Sequence, residues 1–199
     1  MREDEGAGAR IGRIAEALAA RRGRQVELAP GERRAAVALI LRGGDLDELE
    51  MLLIKRATYE GDPWSGHVAL PGGRQEAEDA SLLDTAVRET REETGIDLAL
   101  HGRALGALDD LAPRTPVLPP IIISPFVFSL GGEARLVASA EVAEAFWVPV
   151  DALRAPGVAQ EIELFLAGGP RRVQSLRHGA HTIWGLTERI LQQFFSLLG

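Results

Sequence analysis

Three glutamates stand at helical spacing in the stretch 70–96, which reads LPGGRQEAEDASLLDTAVRETREETGI. Residues three and four apart on a helix share a face, so Glu89, Glu92 and Glu93 are expected to project their carboxylates together. Each like-charged pair costs roughly 0.2–0.5 kcal/mol in an isolated helix, which favours a compensating cation. Mg²⁺ prefers oxygen ligands and commonly works beside substrate phosphates. The spacing therefore predicts a metal site suited to phosphoryl chemistry.

A solvated helix face with many ion pairs is the alternative interpretation of the same residues. Arg88 and Arg91 stand among the acids, and Asp84 precedes Arg88 by four residues, as on ordinary charged helices. The preceding Pro-Gly-Gly turn favours the metal site. Gly72 and Gly73 allow the backbone to come close to a metal or a phosphate, and their carbonyl oxygens are further hard ligands.

The helix that carries the glutamates is predicted to begin after this turn. Asp79 is placed to cap its N-terminus and Gly95 its C-terminus. The inward side is predicted to consist of Leu83, Val87, Thr90 and Thr94.

Apolar runs predict the elements that support this helix. The expected strands are residues 35–41, 51–57, 68–70, 121–130 with a break at Pro125, and the start of 146–153, where Asp151 caps a following helix. The first two are expected to pair, and amphipathic helices are predicted at 10–21 and near the C-terminus. The irregular alternation of strands and helices predicts an α+β protein, an α/β/α sandwich with a mixed β-sheet.

Composition excludes several classes of protein. The 199 residues are 46% hydrophobic and 26% charged, which fits one globular domain, and no apolar run is long enough to cross a membrane. The net charge of −7 argues against nucleic acid as the main partner. The absence of cysteine excludes disulfides and thiolate chemistry. The N-terminus has no apolar signal segment, so a cytoplasmic location is expected, and the oligomeric state stays open.

The stretch resembles the signature of the Nudix hydrolases, G-x5-E-x7-R-E-U-x-E-E-x-G-U. The chain is similar to it from Gly73 through Arg88-Glu89 and Glu92-Glu93 to Gly95-Ile96. It departs in two places: the first acid, Asp79, is separated from Arg88 by eight residues rather than seven, and Thr90 occupies an apolar position. The resemblance implies the Nudix fold, with residues 31–199 as the hydrolase domain and residues 1–30 as an N-terminal helix and linker packed on it.

A narrower resemblance concerns the coenzyme A pyrophosphatase subgroup, in which the same one-residue extension occurs. That subgroup has an upstream signature LLTxR(S/A)…G…FPGG, to which LLIKRA at 52–57, Gly66 and LPGG at 70–73 are similar, and it shares TIWGLT at 182–187. Leu70 replaces the expected Phe, the arginine inside the loop is absent, and GDPWSG is one residue longer. The departures fall in the loop that would help to recognise the substrate.

The resemblance implies metal-dependent hydrolysis of a nucleoside diphosphate linked to another group, such as coenzyme A. Mg²⁺ or Mn²⁺ would be held by the three glutamates and the backbone of Gly73, with Arg88 positioning a glutamate. Glu92 or Glu93 is expected to take the proton from the attacking water, and Glu141 or Glu144 is a further candidate acid.

Substrate binding is assigned to three residues, Arg56, Arg74 and Gly72. The substrate is expected to be a small nucleotide-type molecule; ADP-ribose and NADH are the alternative substrates, and a non-catalytic nucleotide-binding module is the alternative from another class. His67 is expected to be structural, and Trp64 either stacks on an adenine or anchors its loop.

Overall fold

A computed structural model describes residues 6–21, 23–60, 65–113, 120–132, 135–166 and 169–198. The helices of this part of the chain are α1 (Ala7–Ala19), α2 (Leu82–Thr94), α3 (Leu98–His101), α4 (Val150–Arg154) and α5 (Gly185–Ser196). The strands are β1 (Arg33–Gly43), β2 (Leu49–Arg56), β3 (Val68–Ala69), β4 (Gly72–Arg74), β5 (Gly102–Ala107), β6 (Ile121–Leu130), β7 (Val142–Pro149), β8 (Ala159–Leu166), β9 (Gly169–His178) and β10 (His181–Trp184). Residues 61–64 of the GDPWSG loop, with Trp64, and residues 114–119 lie outside the described residues.

The main sheet is mixed and lies between two helical layers, as predicted. Strand β1 pairs in parallel with β6 and antiparallel with β2 and β4. On one face, Ala86 of α2 packs against a core that includes Ile40. On the other face, Ile14 of α1, Leu153 of α4 and Phe194 of α5 share the larger core. This layering confirms the α/β/α sandwich and the α+β class.

The hairpin of β1 and β2 opens into a wedge that the segment 68–74 fills. The two strands pair only near their connection, where Leu41–Gly43 lie opposite Leu49–Met51. Farther along, β3 pairs with β2 and β4 pairs with β1. The prediction of a simple turn at Pro71-Gly72-Gly73 is therefore wrong, because Gly72–Arg74 form a strand against the otherwise unpaired edge of β1.

Strand β6 runs through Pro125 without the predicted break. The carbonyl of Pro125 accepts a hydrogen bond from the Leu108 amide at 2.9 Å. Since the amide and the carbonyl of one strand residue point to the same side, the missing donor of Pro125 also faces Leu108. That position lies just past the end of β5 at Ala107. The ladder with β1 on the opposite side therefore stays complete.

A second sheet, in the order β10-β9-β8, was not predicted. Ile162 lies opposite Val173 in its long hairpin, and polar and apolar residues alternate from Glu161 to Leu164, which is the period of a strand. The following helix α5 confirms the C-terminal prediction, with Ile190, Leu191, Phe194 and Phe195 buried.

Helix α1 confirms the N-terminal prediction and begins three residues earlier than predicted, at Ala7. The buried Arg10 donates two hydrogen bonds to the Asp151 carboxylate, at 2.6 and 2.8 Å. The prediction that Asp151 caps α4 is therefore wrong, because its carboxylate is bound to Arg10 of α1. Among the described residues, none of the helices has the length and apolar character needed to cross a membrane.

Candidate active site

Helix α2 is capped by residues that fix its start and its end. Ser81, not the predicted Asp79, is the N-cap, because its hydroxyl accepts from the Asp84 amide at 3.2 Å and donates to the Asp84 carboxylate at 2.8 Å. Gly95 is the predicted C-cap and has the left-handed conformation, with φ of 73°. Thr90 and Thr94 are buried as predicted, and Leu83 and Val87 pack half-buried against the core, as predicted for the inward side. Ala86 is the fully buried apolar residue of the helix.

Asp79 holds the guanidinium of Arg88 from one side. Its carboxylate accepts from Nε at 2.9 Å and from Nη2 at 3.0 Å, and it also accepts from the Thr85 hydroxyl and the Glu76 amide, both at 2.9 Å. The bond from Arg88 holds the pKa of Asp79 well below its usual range, and the same bond raises the pKa of Arg88. Asp79 and Arg88 therefore stay charged in the folded protein.

The opposite side of the guanidinium faces the glutamates. Nη1 of Arg88 donates to Glu89 at 3.0 Å and to Glu92 at 3.1 Å, and Nη2 donates to the Arg74 carbonyl at 3.0 Å. Arg88 thus fixes two of the predicted metal ligands, which agrees with the positioning role expected for it. Arg74 itself is exposed, and its backbone rather than its side chain joins this network.

Glu93 is the most deeply buried of the three glutamates, with 4% of its surface exposed. One carboxylate oxygen accepts from the Gly72 amide at 2.9 Å, and Nη1 of Arg56 lies 3.9 Å from the other. Burial raises the pKa of Glu93 to about 7, with smaller contributions from the charges of Glu89 and Glu141. A carboxylate in such surroundings is poised to receive either a proton or a cation.

The donor set fits a hard divalent cation. Within the described ranges, no three acidic or histidine side chains converge on one point, because Arg88 binds Glu89 and Glu92 while Glu93 binds Gly72. All three side chains nonetheless present carboxylate oxygens from one helix, from the buried Glu93 to the exposed Glu92. A Cβ on Gly73 would lie 2.3 Å from Glu89 Oε1. The Glu89 carboxylate therefore occupies space that is free only because residue 73 has no side chain.

The two glycines differ in the direction of their backbone groups. The bonds from Ala38 to the Pro71 carbonyl and from Gln75 to the Arg34 carbonyl set the alternation of the β1–β4 ladder. Pro71 and Gln75 therefore both direct their backbone groups at β1. In an antiparallel ladder every second residue does so, and Gly73 is the second residue after Pro71. Gly73 therefore faces β1, and Gly72 faces away from β1 towards Glu93. The carbonyl of Gly72 is the better placed backbone ligand, although the sequence favoured Gly73.

The remaining candidate residues separate into two groups. Arg56 lies beside Glu93, and Glu141 lies close enough to raise the pKa of Glu93. Glu144 lies 3.5 Å from His181 Nε2 instead. His67 packs edge-on against Trp184, with 4.5 Å between the ring centres, in keeping with its expected structural role.

Asp79 was missed as the partner of Arg88 because it was interpreted as a cap. The sequence held a signal for the correct cap, since Ser81 precedes Asp84 by three residues, as in a capping box.

The Asp79→Asn variant is expected to lower the free energy of unfolding by about 3 kcal/mol, because it leaves a half-buried arginine with a neutral partner. Urea unfolding would measure this loss. Asp84→Asn is the matched control at an exposed position, with an expected loss of about 1 kcal/mol or less. Equal losses in the two variants would contradict the assignment of Asp79 as the anchor of Arg88.

The stability of the metal-free protein is expected to fall as the pH rises from about 4.5 to about 7. Glu93 has a pKa of about 7 in the folded chain against an ordinary value of 4.5, so the folded state binds more protons across this window. The contribution amounts to about 3 kcal/mol. Asp79 has the opposite effect at pH values below its ordinary pKa of 3.8. Its pKa is lowered in the folded chain, so the stability that it contributes is lost as the pH falls.

Urea unfolding in a chelator, at several pH values, isolates this contribution when the wild type is compared with Glu93→Gln. The difference in unfolding free energy between the two proteins is expected to change with pH across the window without metal. This pH dependence is expected to vanish when Mg²⁺ keeps Glu93 ionised. Parallel pH curves for the two proteins would refute the assignment.

Comparisons with known proteins agree with this geometry. The family model of the NUDIX domain matches residues 32–167. An uncharacterized protein of Schizosaccharomyces pombe is 37% identical over 137 residues, 64% of this chain and 42% of that protein. The Nudix hydrolase NudL of Photorhabdus laumondii, also described as uncharacterized, is 32% identical over 71% of this chain and 74% of its own length. The human mitochondrial coenzyme A diphosphatase NUDT8 is 32% identical over 67% of this chain and 56% of its length.

The fold has a counterpart among solved structures. The crystal structure of a MutT/nudix family protein from Enterococcus faecalis superposes with a TM-score of 0.58 at 23% identity, over 87% of this chain and 64% of that one. The chain spans about half the length of the yeast and human relatives and about three quarters of the bacterial one. The family model covers well over half of the chain, and the chain therefore belongs to the Nudix family.

Proposed function

We propose that the chain is a divalent-metal-dependent pyrophosphohydrolase that cleaves the diphosphate of coenzyme A or its derivatives. The observation that carries the proposal is the buried carboxylate of Glu93. It lies on the same helix as Glu89 and Glu92 and accepts a hydrogen bond from the Gly72 amide of β4. The choice of coenzyme A as the substrate is supported by two segments of the sequence and by one relative. LLIKRA at 52–57 and TIWGLT at 182–187 are similar to the coenzyme A subgroup, and one relative is named a coenzyme A diphosphatase.

Glu89, Glu92, Glu93 and the carbonyl of Gly72 would hold the cation, Mg²⁺ or Mn²⁺. When bound, such a cation neutralises the diphosphate and lowers the pKa of a coordinated water. Arg88 keeps Glu89 and Glu92 in place through Nη1, while Asp79 prevents the guanidinium from moving away. Arg56 and Arg74 are the candidate phosphate contacts, with Arg56 nearer to the cluster because it lies beside Glu93.

The proton of the attacking water needs an acceptor on this chain. Glu93 is the first candidate, because its buried carboxylate is held by the Gly72 amide beside Arg56, next to the proposed cation. Glu92 is the alternative on the same helix. For a further acid, the position of Glu141 beside Glu93 favours it over Glu144, which pairs with His181.

A second candidate function is hydrolysis of another nucleoside diphosphate compound, such as ADP-ribose or NADH. Leu70 and the lengthened GDPWSG loop favour it, because both depart from the coenzyme A signature. A non-catalytic nucleotide-binding module is the third candidate, and the presence of all three glutamates argues against it. We also propose that residues 1–30 form an appendage on a hydrolase domain of residues 31–199. The cytoplasmic location stays a prediction.

A substrate panel with identified products tests these alternatives. Coenzyme A, ADP-ribose and NADH are incubated with Mg²⁺ or Mn²⁺ and the products are identified by mass spectrometry. Coenzyme A is expected to yield 3′,5′-ADP and 4′-phosphopantetheine. Turnover of ADP-ribose or NADH without turnover of coenzyme A would overturn the first proposal in favour of the second.

A further inference from the structure

Tyr59 presents an aromatic ring that is exposed yet fixed at both ends. Half of the residue, 50%, is exposed to solvent. Its backbone amide donates to the Ser65 hydroxyl at 2.8 Å, and its own hydroxyl donates to the Ala140 carbonyl at 2.8 Å. Hydrogen bonds in contact with water contribute little net stability. Their main effect here is to hold the ring in one orientation.

The ring is anchored to the segment that borders the glutamate cluster. Ala140 lies between Ser139, whose amide donates to the Glu93 carbonyl at 3.1 Å, and Glu141, whose carbonyl accepts from the Ala57 amide at 2.8 Å. Tyr59 also follows Arg56 by three residues, and Arg56 faces the Glu93 carboxylate. The tyrosine therefore lies at the rim of the proposed site.

The chemistry of the ring suits a planar ligand. Its hydroxyl is already bound to Ala140, so the exposed face is the part of the side chain that is open to a partner. An aromatic ring that is already held in one orientation stacks on any nucleobase with little loss of conformational entropy. Phe165 is the other strongly exposed aromatic residue that the structure describes, at 82%, and it lies on the β8–β9 hairpin.

We propose that Tyr59 is the stacking platform for the nucleobase of the substrate, at the rim of the site and beside Arg56. The proposal rests on the proposed function, because it is that function which makes the ligand a nucleotide. Tyr59 is thus a specificity residue that contributes to binding and not to the chemical step.

The proposal is tested by nuclear magnetic resonance with ADP and Mg²⁺ as the probe. A base stacked on the ring has its H2 and H8 resonances shifted upfield on binding. This shift is expected with the wild type and, at somewhat lower affinity, with Tyr59→Phe, which keeps the ring but loses its bond to Ala140. Tyr59→Leu is expected to lose the shift and to weaken ADP binding about tenfold or more. Phe165→Leu, the control on the other exposed ring, is expected to behave as the wild type.

Retention of both the upfield shift and the affinity in Tyr59→Leu would overturn the proposal, as would a wild type that binds ADP without the shift or does not bind it at all. Kinetics separates this inference from the proposed function. Tyr59→Leu is expected to raise KM about tenfold while kcat changes less than about threefold. Hydrolysis by Tyr59→Leu with an unchanged KM would refute the stacking role of Tyr59 alone. Stacking of ADP on the wild type without hydrolysis of any compound would refute the proposed function alone.

Discussion

Replacing Glu93 with glutamine is expected to slow hydrolysis by about 10²- to 10⁴-fold while the protein stays folded. Glutamine keeps the shape and an oxygen that accepts from the Gly72 amide, so the packing between α2 and β4 is preserved. It carries no charge for a cation and accepts no proton near neutral pH. Steady-state rates with the best substrate of the panel, together with thermal unfolding, measure the two effects.

The control for this variant is Glu163→Gln, an exposed glutamate on β8, which is expected to leave the rate unchanged. In the metal-free protein at pH 8, Glu93→Gln is expected to be as stable as the wild type or more so, because a buried charge is removed. An unchanged rate would refute the catalytic role of α2. A protein that unfolds would show that Glu93 is needed for folding, which the preserved acceptor does not predict.

The Gly72→Ala variant is expected to lose about 3–5 kcal/mol of unfolding free energy. A Cβ there would lie 2.3 Å from the Ala36 carbonyl oxygen and 2.6 Å from Val37 Cα, and the residue has φ of 154°. Both clashes are with backbone of the central strand β1, which has no room to move. Urea unfolding measures the loss directly, and a loss below about 1 kcal/mol would show that β4 does not lie this close to β1.

Gly73→Ala is the informative contrast at the neighbouring position. Its Cβ would meet the Glu89 carboxylate, the end of a flexible side chain that is able to rotate away. The variant is expected to fold with a loss of about 1 kcal/mol and to bind Mg²⁺ about tenfold more weakly, measured by calorimetry. Gly12→Ala, with nothing within 4 Å of its Cβ in α1, is the matched control and is expected to gain about 1 kcal/mol. An unchanged Mg²⁺ affinity in Gly73→Ala would show that Glu89 is not a ligand of the metal ion.

The parts of the fold that depend on local periodicity were predictable from the sequence. The apolar runs of β1 and β2, the glutamate spacing on α2 and the glycine at its end each act within one element. The interpretation of Asp79 as a cap failed because an acid near a helix start satisfies either a backbone amide or a distant arginine. Only the folded chain shows that Ser81 fills the first role and that Asp79 binds Arg88.

Three features that depend on two elements at once were not predicted. Gly72–Arg74 become a strand because β1 and β2 diverge, and no local pattern reports that divergence. Pro125 is tolerated because β5 ends beside it, which is a property of the neighbouring strand. The surroundings of Tyr59 likewise come from Ala140, which lies 81 residues away in the chain.

The assignment of α2 as a metal-dependent hydrolytic site is tested most directly by product formation as Mg²⁺ is added to chelator-treated protein. With coenzyme A or the best substrate of the panel, cleavage of the diphosphate is expected to be absent in the chelator and to rise to saturation with Mg²⁺. Cleavage at the same rate in the chelator and in Mg²⁺ would contradict it.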